Sequence, residues 1–226
     1  MRKSLHERIR DRTPRPLVRA VHAARWRRHR AAARRYLDEQ ARAGTHAFIH
    51  INKCGGTSVE QALGIPVKLH DTAAERRDRI GAARWEALHS FSIVRHPAER
   101  LTSQYRYLLR IDWQGMGRAP PGLDAWIEDV LGAGPPRMLS DRRLVMPCLD
   151  WLTDAEGRVI VNEIARLETI ADDWPGIAAR IGTDAALPLK NRTHRENGDV
   201  AALSPGTLAL IRGAYARDLD AFGYEI

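Results

Sequence analysis

Apolar positions along this chain fall into short runs separated by glycine, proline and polar clusters, and the runs alternate with stretches of helical period. Residues 46–51, H-A-F-I-H-I, form a compact run that stops at a glycine pair, the pattern of a buried strand. Phe91 to Val94 make a second strand, and Val159 to Val161 a third, after a turn over Asp154 to Gly157. Between them lie helices. Thr57 opens one, with Glu60 three positions later completing a capping-box pattern. Residues 72–89 read as another, with Ile80, Ala83 and Leu88 inward. Pro97 suits the first turn of a helix through Leu101, Tyr105, Leu108 and Leu109. Residues 169–181 and 205–221 are also helical, and 114–122 and 132–137 are loops. Strands alternating with helices predict an α/β fold with a central parallel sheet flanked by helices.

Residues 17–43 change the picture, because they alternate arginine clusters with Ala, Leu, Val and Trp26. They predict a basic helix ending at Gly44, a good helix stop. Of the 226 residues, the first 43 carry 14 Lys and Arg against 4 Asp and Glu, leaving 22 against 24 in the rest. The formal charge of +8 therefore belongs to the N-terminal segment, and the body is close to neutral. This divides the chain into a basic helical extension, 1–44, and one domain, 45–226; the chain as a whole is 44% hydrophobic, enough for a full core. The extension reads first as a solvated basic helix, with contact to an anionic membrane surface or an anionic acceptor as the second reading. No helix-turn-helix or zinc spacing supports it, so no nucleic-acid partner is expected.

No apolar run approaches the roughly 20 residues needed to span a bilayer, and the start lacks the apolar region of a secretory signal. The two cysteines, Cys54 and Cys148, are too few for a disulfide framework. A reducing, cytoplasmic setting is expected.

The chemistry concentrates at two strand-to-helix junctions. In H-I-N-K-C-G-G-T-S, His50 to Ser58, a strand runs into two glycines and then a helix. Glycine lets the main chain approach a ligand, and the first helical amides have no internal partner. Lys53 adds charge, and Thr57 and Ser58 add hydroxyls, so the segment predicts a phosphate cradle. It is not a Walker A loop, where the lysine directly precedes the Ser/Thr; here Lys53 precedes the glycines. No acidic residue closes the Val159–Val161 strand to hold magnesium. The second junction, F-S-I-V-R-H-P-A-E-R-L-T-S-Q-Y, places Arg95 at the carboxyl end of a strand, where open α/β sheets bind ligands. Ser103 follows about two turns into the helix, and an Arg fork with a hydroxyl can grip a phosphate dianion.

Together these segments resemble the family 2 sulfotransferases, which include heparan sulfate 2-O-sulfotransferases and bacterial carbohydrate sulfotransferases. That family pairs H-I-P/N-K-T-G-G-T/S-S with a later V-R-N-P-x-x-R-x-x-S, in the order and spacing found here. Met146 to Asp154, Ile164 to Trp174, Leu187 to Arg192 and Asp218 to Tyr224 resemble its later motifs, so the likeness covers roughly 45–226. Cys54 stands where the family has Thr or Ser, His96 where it has Asn, and Cys148 where it has Gln.

The resemblance implies a P-loop-like three-layer fold and transfer of a sulfuryl group, without a metal, from 3'-phosphoadenosine 5'-phosphosulfate (PAPS) to a hydroxyl acceptor. Family analogy favours a carbohydrate. It implies that Lys53, Cys54, Gly55, Gly56, Thr57 and Ser58 hold the 5'-phosphosulfate, with Lys53 also neutralising charge on the bridging oxygen. Arg95 and Ser103 would fix the 3'-phosphate, and Asn191 and Arg192, beside Lys190, would touch cofactor or acceptor. His70, in K-L-H-D-T-A-A-E, matches the family's H-x-T/S-A-x-E and is the expected general base, with His50 its rival. A nucleotide kinase of related fold and a non-catalytic nucleotide-binding protein remain the alternative readings.

Overall fold

The computed structural model describes residues 15–134, 136–139, 141–188 and 200–226. Its centre is a three-stranded parallel sheet in the order β1 (His46–Ile49), β2 (His89–Val94), β3 (Glu163–Arg166). His46 pairs with His89 and Phe91 with Glu163. Both faces of the sheet are covered, as a parallel sheet requires. Phe48, Phe91, Ile93 and Ala165 pack on Val59, Trp174 and Ile177. On the other face, Ala47, Ile49 and Val94 meet Ala73, Trp85 and Trp151. The strict alternation along each strand is what sends these residues to opposite sides.

The first crossover carries α2 (Gly56–Ala62), α3 (Ala73–Ile80) and α4 (Ala82–Glu86), which follow β1 in order. The second carries α5 (Pro97–Arg110), α6 (Leu123–Leu131) and the short α7 (Cys148–Leu152). After β3 come α8 (Ile170–Ile181), α9 (Pro205–Ala214) and α10 (Ala216–Phe222). A third apolar cluster, with Leu108, Trp126, Ile127, Ile211 and Tyr215, joins α5, α6 and α9 away from the sheet.

Several boundaries move. The third strand is Glu163–Arg166, not Val159–Val161; Val159 makes only an isolated antiparallel bridge to Thr153. Asn162 decides this, since its carboxamide oxygen accepts from the Ser90 amide and hydroxyl and so begins the pairing one residue before Glu163. Thr57 does not cap α2. Gly55 does, with φ 78, and Glu60 turns inward instead. The reciprocal capping box belongs to Thr72 and Glu75 at α3. The 72–89 helix breaks at Gly81, whose φ of 93 lies outside the right-handed helical region. The 205–221 helix likewise breaks, at Tyr215.

The basic helix, α1 (Arg15–Ala43), is docked on the body rather than standing off it. Ala33 and Ala41 are buried, Arg34 pairs with Asp71, and Arg79 reaches back to Asp38 at 2.8 Å. Arg84 donates to the carbonyls of Ala41 and Gly44. Among the described residues, no helix is long and apolar enough to cross a membrane.

Candidate functional site

β1 and β2 are neighbours and parallel, so the loops leaving their carboxyl ends emerge side by side. That adjacency brings the two predicted junctions together. The Arg95 guanidinium reaches the Lys53 carbonyl at 3.5 Å and pairs with Glu99, one helical turn on, at 3.2 Å. Lys53 takes a left-handed backbone, φ 64, and lays its ammonium over the Tyr107 ring, 4.6 Å from the centroid. Arg110 lies over the same ring. Burial, followed by repulsion from Arg110 and Arg95, lowers the Lys53 pKa to about 8. Among the described residues its ammonium has no carboxylate partner. A group of cations held at their mutual expense is the electrostatic setting that an anion relieves.

Ser103 lies on α5 one turn before Tyr107 and one turn after Glu99, on the stripe that faces Lys53 and Arg95. Its hydroxyl makes no hydrogen bond to the other described residues. Thr57 is exposed, and its hydroxyl accepts from Lys68 at 3.1 Å. The Ser58 amide is already engaged by the Gly55 carbonyl at 2.9 Å. This leaves the Gly56 and Thr57 amides as the open donors of the α2 turn.

The two glycines have separate packing reasons. A Cβ at Gly55 would come within 2.5 Å of Leu167, and one at Gly56 within 2.2 Å of the His50 ring. Gly56 therefore serves His50 as much as any ligand. The Cys54 thiol points into the core, against Asn52 and Cys148, so only its backbone can serve a ligand in this loop.

The two histidines end up in contact, with ring centroids 4.4 Å apart and edge-on. Their roles differ. His50 is buried, and its Nδ1 bonds Glu60 Oε1 at 2.6 Å. His70 is half-buried and bonds the His50 carbonyl through Nδ1 at 2.9 Å. A carbonyl only accepts, so His70 Nδ1 carries the proton and Nε2 keeps its lone pair. Burial, then the His50 ring, lowers the His70 pKa to about 4, so it stays neutral across the physiological range. Sequence reasoning expected an imidazole titrating near neutrality; burial makes it a weaker base that is always available.

Glu60, Tyr107 and Arg110 belong to this site and were not singled out in the sequence. Tyr107 and Arg110 could have been found from the i, i+4, i+7 stripe that starts at Ser103. Glu60 was masked by its match to a capping box. Asn191 and Arg192, with Lys190, lie outside the described residues. Among the described residues, no group of three or more His, Cys, Asp or Glu could hold a metal.

Comparison of the chain with protein-family models, with curated proteins and with solved structures finds no match.

Proposed function

We propose that this chain is a PAPS-dependent sulfotransferase of P-loop-like architecture acting on a hydroxyl acceptor, with a carbohydrate favoured. The observation that carries the reading is the meeting of Lys53 and Arg95, which follow adjacent parallel strands, in a cationic cluster whose lysine has no carboxylate partner among the described residues. A dianionic phosphate at each end of one ligand matches that arrangement. The protein's own groups fit a bisphosphorylated nucleotide: charge from Lys53 and Arg95, the Ser103 hydroxyl, and the open amides of Gly56 and Thr57.

The cofactor supplies the activated sulfuryl group; the chain supplies position, charge and a base. Lys53 would neutralise charge on the departing phosphate side. His70, with Nδ1 committed to the His50 carbonyl, presents Nε2 to accept the acceptor's hydroxyl proton. Glu60 orients His50, and the His50 carbonyl orients His70. His50 is thus a positioning residue in this reading, since its own ring is buried against Gly56.

Nucleotide preference tests the reading. Calorimetry should show tighter binding of adenosine 3',5'-bisphosphate than of ATP, with magnesium making no difference. Equal affinity for the two, or a strict need for magnesium, would favour the kinase alternative.

A further inference from the structure

The two cysteines are 94 positions apart, yet the fold delivers their sulfurs to 3.9 Å, both fully inside the protein. One buried arginine brings them together. Arg100 donates from Nε to the Asn52 carbonyl at 3.2 Å and from Nη1 to the Met146 carbonyl at 2.7 Å. Its Nη2 also reaches Asn52 Oδ1 at 3.1 Å. Asn52 precedes Cys54 by two residues, and Met146 precedes Cys148 by two. Arg100 therefore clips the two cysteine-bearing segments at equivalent points.

The same arginine is 2% exposed and forms no ion pair with a carboxylate among the described residues. A buried guanidinium bonded only to neutral carbonyls needs negative charge nearby. Against the cost of burial, the groups that favour the charged form of Arg100 are Cys148 first, then Cys54, Tyr215 and the Asp218 carboxylate, so the two sulfurs lie inside its field. Reciprocally, the hydrogen bond from Cys54, and then the Arg100 charge, hold the Cys148 thiol below its ordinary pKa, while burial pushes the Cys54 thiol up. One sulfur is disposed to attack and the other to resolve.

We propose that Cys54 and Cys148 are an oxidisable thiol pair, closed into a disulfide by a peroxide and reopened by a thiol reductant, and that closure displaces the loop carrying Lys53. The Cys148 thiolate attacks one peroxide oxygen, the O–O bond breaks, and a sulfenic acid forms. The departing hydroxide takes up the proton that Cys148 released. The Cys54 sulfur then attacks the sulfenic sulfur, the S–O bond breaks, and water leaves with the Cys54 proton. Two thiols lose two electrons, and the peroxide becomes two waters.

Bonding requires the sulfurs to close from 3.9 Å to about 2.05 Å. Cys148 is the fixed partner, because Asp218 accepts from its amide at 2.6 Å and from the Leu149 amide at 2.9 Å. Cys54 is the one that gives. It sits between two left-handed residues, Lys53 at φ 64 and Gly55 at φ 78, in a turn already held away from the common backbone regions. The turn is partly open to solvent, so local opening of a few residues is enough to admit a peroxide.

The effect on nucleotide binding rests on the function proposed above; the thiol chemistry does not. The full-length protein would be treated with hydrogen peroxide, then studied by intact mass, thiol titration and hydrogen exchange. The expected product is a monomeric chain lighter by two hydrogens, with no titratable thiol, restored by reductant. Amides 53–56 should exchange about tenfold faster in it. Adenosine 3',5'-bisphosphate should bind about tenfold more weakly, and recover with the reductant. Cys54→Ser should lose the reversible product and accumulate oxygen on Cys148, whereas Cys148→Ala should lose both the product and the oxygen uptake. The proposal is overturned if both thiols of the wild type survive peroxide, if only links between chains form, or if the disulfide forms with exchange at 53–56 unchanged. A disulfide with altered exchange in a protein that binds the bisphosphate in neither state supports the thiol pair and removes the sulfotransferase reading alone.

Discussion

Two clusters of positive charge flank the step from His70 to Asp71, and they are treated in opposite ways. On the α1 side, Arg30, Arg34 and Arg79 converge on Asp71, whose side chain is fully buried, with Arg79 at 2.7 Å. Asp38 takes Arg76 and Arg79 from the same side. On the loop side, Lys53 and Arg110 lie over the Tyr107 ring, Arg95 reaches the Lys53 carbonyl, and Glu99 pairs with Arg95. In the first cluster every one of these arginines has a carboxylate partner, and the pairs build the fold. In the second, Lys53 and Arg110 have no carboxylate partner among the described residues, and burial, then repulsion from Arg110 and Arg95, lowers the Lys53 pKa to about 8. Arginine count alone would have ranked the α1 side as the anion site; the placement of carboxylates reverses that ranking.

The sharpest way to separate the clusters is to change the residues on either side of the step. His70→Ala should lower single-turnover sulfuryl transfer by about 10²–10⁴ while bisphosphate affinity stays close to wild type. If transfer survives in His70→Ala but is lost in His50→Ala, the base is His50. Asp71→Ala, one residue on, should act on stability instead, by about 3–5 kcal/mol, because it strands several arginines around a buried vacancy. Urea denaturation reads this directly, and an unchanged midpoint would show that α1 docks without its charges.

Arg95→Ala should cost about 1.5–3 kcal/mol of bisphosphate binding, the range for a hydrogen bond to a charged group. Equal affinity by calorimetry would remove Arg95 from the site. The smallest effect is a pH dependence. Lys53 has its pKa lowered to about 8 in the free protein, and an anion favours its charged form. Below that pH the lysine binds already protonated; above it, binding must take up a proton, so affinity falls as pH rises. The expected loss is about tenfold between pH 7 and 9, and Lys53→Arg should flatten it. A wild-type profile that is flat over this range would mean that Lys53 does not face the ligand.

The sequence made the loop side legible because its signals are local. A strand, a lysine and a glycine pair within eleven residues, repeated as a strand and an arginine, place both junctions without knowledge of the rest. Their adjacency followed from β1 and β2 pairing in parallel. What stayed hidden depends on distant partners. Glu60 satisfied a capping pattern on paper, but His50 claims it at 2.6 Å across a turn. β3 carries Glu163 and Arg166 at its ends, because His89 and Arg180 take the glutamate, so apolar content pointed to Val159–Val161 instead. The docking of α1 could not be read from an arginine-rich stretch, since Asp71 and Arg79 lie about 40 positions away.

That separation also orders events during synthesis. α1 and its Asp38 leave the ribosome before Asp71 and Arg79, with 41 residues between Asp38 and Arg79. At about 5–20 residues per second, the helix waits roughly 2–8 s for the groups that discharge it. β1 waits longer, for β2. Until residue 79 is out, the nascent chain is a strongly basic helix with buried-type alanines exposed beside it. The docking of α1, by the closing of arginines on two aspartates, therefore becomes possible before β1 can pair with β2, and the sheet that carries the candidate site can be assembled against a helix already in place.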